Sequence, residues 1–157
     1  MVTTDPAAIW HWLEAIPDPE LPSVSVVDLG IVREVAWRGA ELAVAITPTY
    51  SGCPAQAVIA REIERTLHEH GIEQVQLETR LTPPWSSDWV TARGREQLQA
   101  AGIAPPAGLV NIAAPVACPR CGSPRTECIA GFSSTACKAL YRCGDCREPF
   151  DYFKPHG

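Results

Sequence analysis

Two pairs of cysteines near the end of the chain constrain its fold more than any other feature. Cys118 and Cys121 form one C-x-x-C pair, and Cys143 and Cys146 form a second pair after 21 further residues. Each pair closes a tight turn that lets two sulfur atoms point at one ion, and two such pairs supply the tetrahedral S₄ shell that Zn²⁺ favours. We therefore expect one zinc ion, held for structure and not for catalysis, because four protein thiolates leave no open position.

The residues around these pairs predict a zinc ribbon over 117–157. The 21-residue spacer is long enough for a β-hairpin with strands at 126–132 and 136–142, and 148–153 reads as a third strand. So short a unit buries little apolar surface and needs a staple, which structural zinc supplies at ~10–16 kcal/mol apparent in small zinc peptides. Two interpretations compete: redox-active pairs without metal, and iron or an iron–sulfur cluster on the same sulfurs.

Charge and hydropathy narrow the class of protein. The chain has 157 residues and a formal net charge of −5, with +2 in residues 117–157 and −7 in the rest. Four thiolates on Zn²⁺ bring the last segment close to neutral, so we expect no nucleic-acid partner. We see neither a signal peptide nor a long apolar run, and we expect a cytoplasmic protein with no membrane partner. In a reducing compartment, paired cysteines indicate metal or redox chemistry more often than disulfides.

The first part of the chain predicts an α+β domain. Asp5 and Pro6 form a helix start, three prolines in 17–22 make a loop, and later stretches alternate as strands or repeat apolar residues at helical spacing. The predicted order is αββαβ, a small sandwich with helices covering one face of an open sheet, followed by one more helix. The predicted elements are a helix at 6–16, strands at 31–37 and 41–47, a helix at 54–70, a strand at 72–81 and a helix at 87–101. The predicted domains are 1–102 and 117–157, joined by a linker at 103–116.

Cys53 stands apart from the other cysteines. It follows a Ser-Gly pair and precedes Pro54, which suits the first position of the helix at 54–70. The free N–H groups and the dipole of such a helix favour a thiolate, so we expect a lowered pKa and a nucleophile or metal ligand. A buried structural cysteine is the equally weighted alternative. No histidine stands at a spacing that indicates a cysteine hydrolase.

Three carboxylates and two more cysteines each have two interpretations. Asp18, Glu20 and Asp28 surround the proline-rich loop, where they could serve acid–base chemistry or cap backbone donors, the commoner role. Cys128 and Cys137 lie on the predicted hairpin strands. They are either small buried hydrophobic residues or a second thiol pair for transient metal or redox use.

Five segments of the sequence resemble two known families. IPDPELPSVSVVDLGIV at 16–32 and TPTYSGCP at 47–54 resemble the SufT-like domain family of iron–sulfur maturation factors. The segments PPWSSDWVTARGREQLQAAGIAPP, CPRCGS and SSTACKALYRCGDCREPFDYFKPH resemble the PaaD family of phenylacetate degradation proteins. The resemblance covers essentially the whole chain.

The resemblance implies an accessory factor of the phenylacetyl-CoA epoxidase system, not an enzyme. It implies that Cys53 handles iron or a transient iron–sulfur cluster, with Asp18 and Glu20 as the acidic motif beside it. The implied partners are the iron–sulfur assembly machinery, the reductase subunit with its flavin and [2Fe–2S] cluster, and the di-iron oxygenase subunits. The zinc ribbon would recognise the client or pair two copies as a homodimer. A structural or regulatory subunit of the oxygenase is the alternative. In agreement, the sequence has no Glu-x-x-His di-iron set and no dinucleotide fingerprint.

Overall fold

The computed structural model describes residues 3–50, 52–106 and 115–155. The chain forms two compact units, Met1–Trp85 and Ser86–Gly157. The first unit has the predicted αββαβ order. Its elements are α1 (Pro6–Leu13), β1 (Val32–Arg38), β2 (Glu41–Ile46), α2 (Gln56–Glu69) and β3 (Val75–Thr79).

The two helices of the first unit cover one face of its sheet. The Asp5 side chain caps α1 by accepting a hydrogen bond from the Ala7 N–H at 2.9 Å. Helix α1 packs against α2 and β1, and α2 packs against β3. The buried residues of α2 are Ile59, Ile63 and Leu67, whereas Val58 is 38% exposed. Their spacing of four residues is the apolar stripe that the sequence predicts.

The sheet of the first unit has the order β1-β2-β3. Strand β1 is antiparallel to β2, and β3 is parallel to β2. Alternate residues of β2 point to opposite faces, and the residues that face the helices are fully buried. These residues are Leu42, Val44 and Ile46.

Charged side chains cover the other face of the same sheet. Arg80 Nη2 lies 2.5 Å from Glu34 Oε2 on β1, and Arg38 Nη2 lies 3.5 Å from Glu78 Oε2 on β3. Because β2 runs between β1 and β3, these ion pairs reach across it. The residues of β2 on this face are alanines, and Ala43 and Ala45 are buried at 4% and 2% exposure. Small side chains there leave room for the long charged ones.

The second unit joins a helix to a four-stranded sheet. After a 3₁₀ turn at Ser87–Trp89 come α3 (Ala92–Ala100), β4 (Ile103–Ala104), β5 (Thr126–Ala130), β6 (Lys138–Cys143) and β7 (Pro149–Phe153). The sheet order is β4-β7-β6-β5, with β4 parallel to β7 and the other pairs antiparallel. The three predicted strands of the ribbon are thus present as β5, β6 and β7.

The region at 86–106 differs from the prediction. The predicted helix at 87–101 is interrupted, because Val90 is extended and the Thr91 hydroxyl caps α3 by accepting from the Gly94 N–H at 3.0 Å. The boundary between units lies at 85/86 and not at 102, and α3 belongs with the ribbon. The start of the predicted linker at 103–116 is strand β4, while 107–114 lie outside the described residues.

No helix within the described ranges combines the length and the apolar character needed to cross a membrane.

Candidate metal centre and thiol site

The structure brings the four predicted zinc ligands together. The Sγ atoms of Cys118, Cys121, Cys143 and Cys146 all lie within 4.8 Å of one another. Sγ of Cys118 is 3.7 Å from that of Cys146, and Sγ of Cys121 is 3.5 Å from that of Cys143. A tetrahedral Zn²⁺ with bonds of ~2.3 Å separates its sulfur ligands by about 3.8 Å. The donor set and its spacing therefore fit structural zinc, which would cross-link the two turns of the ribbon.

The two cysteine turns share a backbone feature. In the first turn the Gly122 N–H donates to the Cys118 carbonyl at 2.9 Å, and Gly122 has a φ of 77°. In the second turn the Cys146 N–H points at Cys143 Sγ at 3.5 Å, and the next residue, Arg147, has a φ of 63°. The residue after each cysteine pair thus has a left-handed backbone conformation, and in the second turn a residue other than glycine adopts it. The conformation of Arg147 could not be predicted from the sequence, because nothing in the residue type indicates a positive φ.

Without a metal, Cys143 and Cys146 do not ionise together. The hydrogen bond from the Cys146 N–H lowers the pKa of Cys143 to about 7. The Glu148 N–H lowers the pKa of Cys146, but burial and the neighbouring sulfurs outweigh it and raise this pKa to about 11. One sulfur ionises early and another late because thiolates in contact repel each other. A divalent cation supplies the charge that removes this conflict.

Cys53 lies between strand β2 and helix α2 of the first unit. Gly52 has a φ of 79°, and the Cys53 N–H donates to the Tyr50 carbonyl at 3.2 Å. The Cys53 side chain is half-buried. Helix α2 begins at Gln56, and its N-terminal cap is Ala55. The predicted helix at 54–70 therefore starts later than expected, and Cys53 precedes it by three residues.

The expected lowering of the Cys53 pKa is wrong. Burial is the largest effect and raises the pKa of the thiol, and the carboxylates of Glu20 and Asp18 raise it further by repelling the thiolate. Hydrogen bonds from the Ala55 backbone and the Tyr50 side chain lower it and do not compensate. The structure thus brings Asp18, Glu20 and Cys53 together, as a neutral thiol beside carboxylates. Tyr50 is not among the predicted site residues, although its position three residues before Cys53 was an available indication.

The Asp18 carboxylate caps its own loop. Asp18 Oδ1 accepts hydrogen bonds from the backbone N–H groups of Glu20 at 2.8 Å and Leu21 at 2.9 Å. The side chain is buried, and this burial raises its pKa against the effect of the two hydrogen bonds. Asp28 is also buried and accepts from the Ser25 hydroxyl at 3.2 Å. The structure favours the capping interpretation for Asp18, whereas the Asp28 carboxylate binds a hydroxyl and the Asp28 N–H donates in turn to Ser25 Oγ at 3.0 Å.

Cys128 and Cys137 differ in their surroundings. Cys137 is buried and lies 2.9 Å from the Thr135 hydroxyl. Cys128 is exposed on β5, where it pairs in register with Tyr141 of β6. The interpretation as a small buried residue holds for Cys137 and is wrong for Cys128, and the two do not stand opposite each other in the sheet.

Two family models match the chain, one in each unit. The model for an iron–sulfur cluster assembly protein matches residues 6–77. The model for the PaaD zinc beta ribbon domain matches residues 104–154. The fold and the two sites therefore define a class of protein in which a domain of the iron–sulfur assembly type is joined to a zinc ribbon.

The chain belongs to the PaaD family. It is 48% identical over 149 residues to a protein of Escherichia coli strain K12 whose name describes it as a subunit of 1,2-phenylacetyl-CoA epoxidase, covering 93% of this chain and 90% of that protein. It is 32% identical over 78 residues to the Fe-S protein maturation auxiliary factor YitW of Bacillus subtilis strain 168, covering 48% of this chain and 76% of that protein.

Solved structures confirm the α+β fold of the first part. A domain of unknown function, DUF59, from Bacillus anthracis matches with a TM-score of 0.54 and 28% identity, covering 59% of this chain and 89% of that one. A conserved hypothetical protein from Thermotoga maritima matches with a TM-score of 0.53 and 25% identity, covering 62% and 98%.

Proposed function

We propose that this chain is a non-catalytic factor that assists insertion of an iron–sulfur cluster into the phenylacetyl-CoA epoxidase system, with the reductase subunit as its client. The observation that carries the proposal is the thiol site. Cys53, Asp18 and Glu20 all lie within residues 6–77, the part matched by the iron–sulfur assembly model, and the charges of the two carboxylates raise the pKa of the thiol.

A thiol with a raised pKa suits transient binding of this cargo. When Cys53 Sγ binds an iron atom, an Fe–S bond forms and the thiol proton leaves to solvent, with no change of oxidation state. Because burial and the carboxylates favour the protonated thiol, protons compete well with iron for the sulfur. The repulsion between Glu20 and a thiolate-bound anionic cluster also favours release. The site would therefore transfer the cluster to the client and not retain it.

One thiol cannot complete the ligand shell of a cluster. The remaining ligands would come from the client or from a second copy of this chain.

The zinc ribbon has a separate role in this proposal. Zinc keeps its turns rigid, and the ribbon recognises the client or pairs two copies of the chain. The reductase subunit is the first partner, and the di-iron oxygenase subunits and the iron–sulfur assembly machinery are further ones. The match of residues 104–154 to a ribbon model specific to PaaD supports a system-specific role for this part.

The test is cluster loading of the reductase in cells. We expect Cys53→Ser to fold normally and to yield reductase poor in iron and acid-labile sulfide. Cys128→Ser is the matched control, since it removes another solvent-accessible thiol outside the site, and we expect wild-type loading with it. Normal iron and sulfide content with Cys53→Ser would reject the proposal.

The second candidate is a structural or regulatory subunit of the oxygenase. The name of the Escherichia coli relative, a subunit of an epoxidase, favours it. This candidate predicts stoichiometric co-purification with the di-iron subunits, unaffected by Cys53→Ser. Transient or absent association, together with loss of reductase cluster, supports the maturation role instead.

A further inference from the structure

A carboxylate of the second cysteine turn reaches back to the residues that follow the first. Asp145 lies between Cys143 and Cys146. Its Oδ2 accepts from the Ser123 hydroxyl and, at 3.2 Å, from Arg125 Nε, while its Oδ1 accepts from Arg125 Nη2. Asp145 is therefore bound by two side chains that belong to the other half of the zinc site.

The backbone makes the same connection. The Gly144 N–H donates to the Arg125 carbonyl at 2.7 Å, and a Cβ on Gly144 would lie 3.1 Å from that oxygen. Ser123 in turn accepts from the Cys118 N–H through its carbonyl at 2.9 Å, and from the Arg125 N–H through its hydroxyl at 3.1 Å. The two turns are thus tied together by contacts that involve no metal.

The negative charge of Asp145 and its hydrogen bonds are expected to act on zinc binding in opposite directions. Four thiolates on Zn²⁺ carry a net charge of −2, so an added carboxylate beside them is repelled. By charge alone, replacing Asp145 with a neutral residue should strengthen the hold on zinc. By geometry, the same replacement loosens the connection between the turns. The two effects have opposite signs, so an experiment can separate them.

We propose that Asp145 is a positioning residue for the zinc site, which clips the second cysteine turn to Ser123 and Arg125 and thereby slows the loss of zinc. In the zinc-loaded chain, the clip would hold the second cysteine turn against the first, so that a dissociated sulfur would stay within reach of the ion. Side chains that orient metal ligands typically change metal affinity 10- to 100-fold when they are mutated.

The test measures transfer of zinc from the full-length, zinc-loaded chain to a chromogenic chelator. We expect Asp145→Asn to release zinc roughly 10-fold faster or more. Glu148→Gln is the matched control, because it removes the same charge two residues after Cys146 without touching Ser123 or Arg125. We expect it to release zinc at the wild-type rate or more slowly. Release from Asp145→Asn at or below the wild-type rate would overturn the proposal.

Two further measurements separate the clip from a general loss of structure. The Co²⁺-loaded form of Asp145→Asn should show the visible absorption of an intact four-sulfur site, since all ligands remain. Ser123→Ala, which removes one hydroxyl, should also speed the release of zinc. In the double variant of Asp145→Asn and Ser123→Ala, the fold-increase in the release rate should not exceed the product of the two single fold-increases. If Asp145→Asn does not fold, Ser123→Ala decides alone, and wild-type release from it counts against the clip.

Discussion

The Cys53 thiol sits where burial and two carboxylates oppose its ionisation. Its pKa is raised above the ordinary value of 9.0. The folded chain therefore holds this proton more tightly than the unfolded chain does. The corresponding contribution to stability is fully present below pH 9 and is lost as the pH rises through the folded pKa. At neutral pH the site is a protonated thiol that a metal must deprotonate.

Replacing Glu20 tests this electrostatic coupling. We expect Glu20→Gln to lower the pKa of Cys53, because the charge that repels the thiolate is removed. The pH profile of Cys53 alkylation, followed by mass spectrometry of the modified peptide, measures the shift. Glu73→Gln, an exposed residue before β3, controls for net charge. An unchanged profile in Glu20→Gln would show that Glu20 does not act on the thiol.

Asp18 offers a stability test at the same site. Asp18→Ala leaves the half-buried N–H group of Glu20 and the buried N–H group of Leu21 without their acceptor, so we expect a loss of about 1–3 kcal/mol. Asp18→Asn keeps an acceptor oxygen and removes a buried charge, so its effect should stay below about 1 kcal/mol. Urea unfolding at pH 7 measures both. Equal losses in the two variants would contradict the capping role.

Among the elements, α2 supports the loop that presents Cys53. The helix buries Ile63 completely and leaves Val58 partly exposed. We expect Ile63→Ala to cost about 2–5 kcal/mol through the cavity that it leaves, and Val58→Ala to stay within about 0.5 kcal/mol. Equilibrium unfolding followed by circular dichroism makes the comparison. Similar losses for both would mean that the stripe of α2 does not form the core.

Elements with strong periodic patterns could be predicted from the sequence. Elements whose bounds depend on a choice between neighbouring capping residues could not. Ile59, Ile63 and Leu67 repeat at a single spacing, and the cysteine turns at 118–121 and 143–146 have no equally good alternative. The segment at 86–91 offers two cap residues, Ser86 and Thr91, and only packing selects both. The prediction of a lowered pKa for Cys53 was wrong because the burial of the thiol depends on neighbours that are distant in sequence. The covering of Ala43 and Ala45 by ion pairs is likewise a tertiary effect.

At the scale of the whole molecule, the two units depend on different forces. The first buries its core between helices and sheet, whereas the ribbon core is small and includes two of the zinc ligands. The members of that small core are Ala104, Cys118, Cys143, Phe150 and Tyr152. A core that contains its own metal ligands is expected to depend on the metal.

Removal of zinc should therefore affect the units unequally. We expect that a strong chelator removes the chemical-shift dispersion of the amide NMR signals of the ribbon strands β5–β7, while the signals of α2 and β2 stay unchanged. Restoring one equivalent of Zn²⁺ should restore the spectrum. Simultaneous loss of signals from both units would contradict this division of stability.

We propose that the four ribbon sulfurs hold zinc for structure while Cys53 remains a separate, free thiol for transient cargo. Metal analysis and the visible spectrum of the chain after anaerobic purification test it most directly. We expect one zinc per chain and a colourless protein, with Cys53 open to alkylation and the four ribbon ligands protected. A brown protein that carries iron on Cys118, Cys121, Cys143 and Cys146 would contradict it.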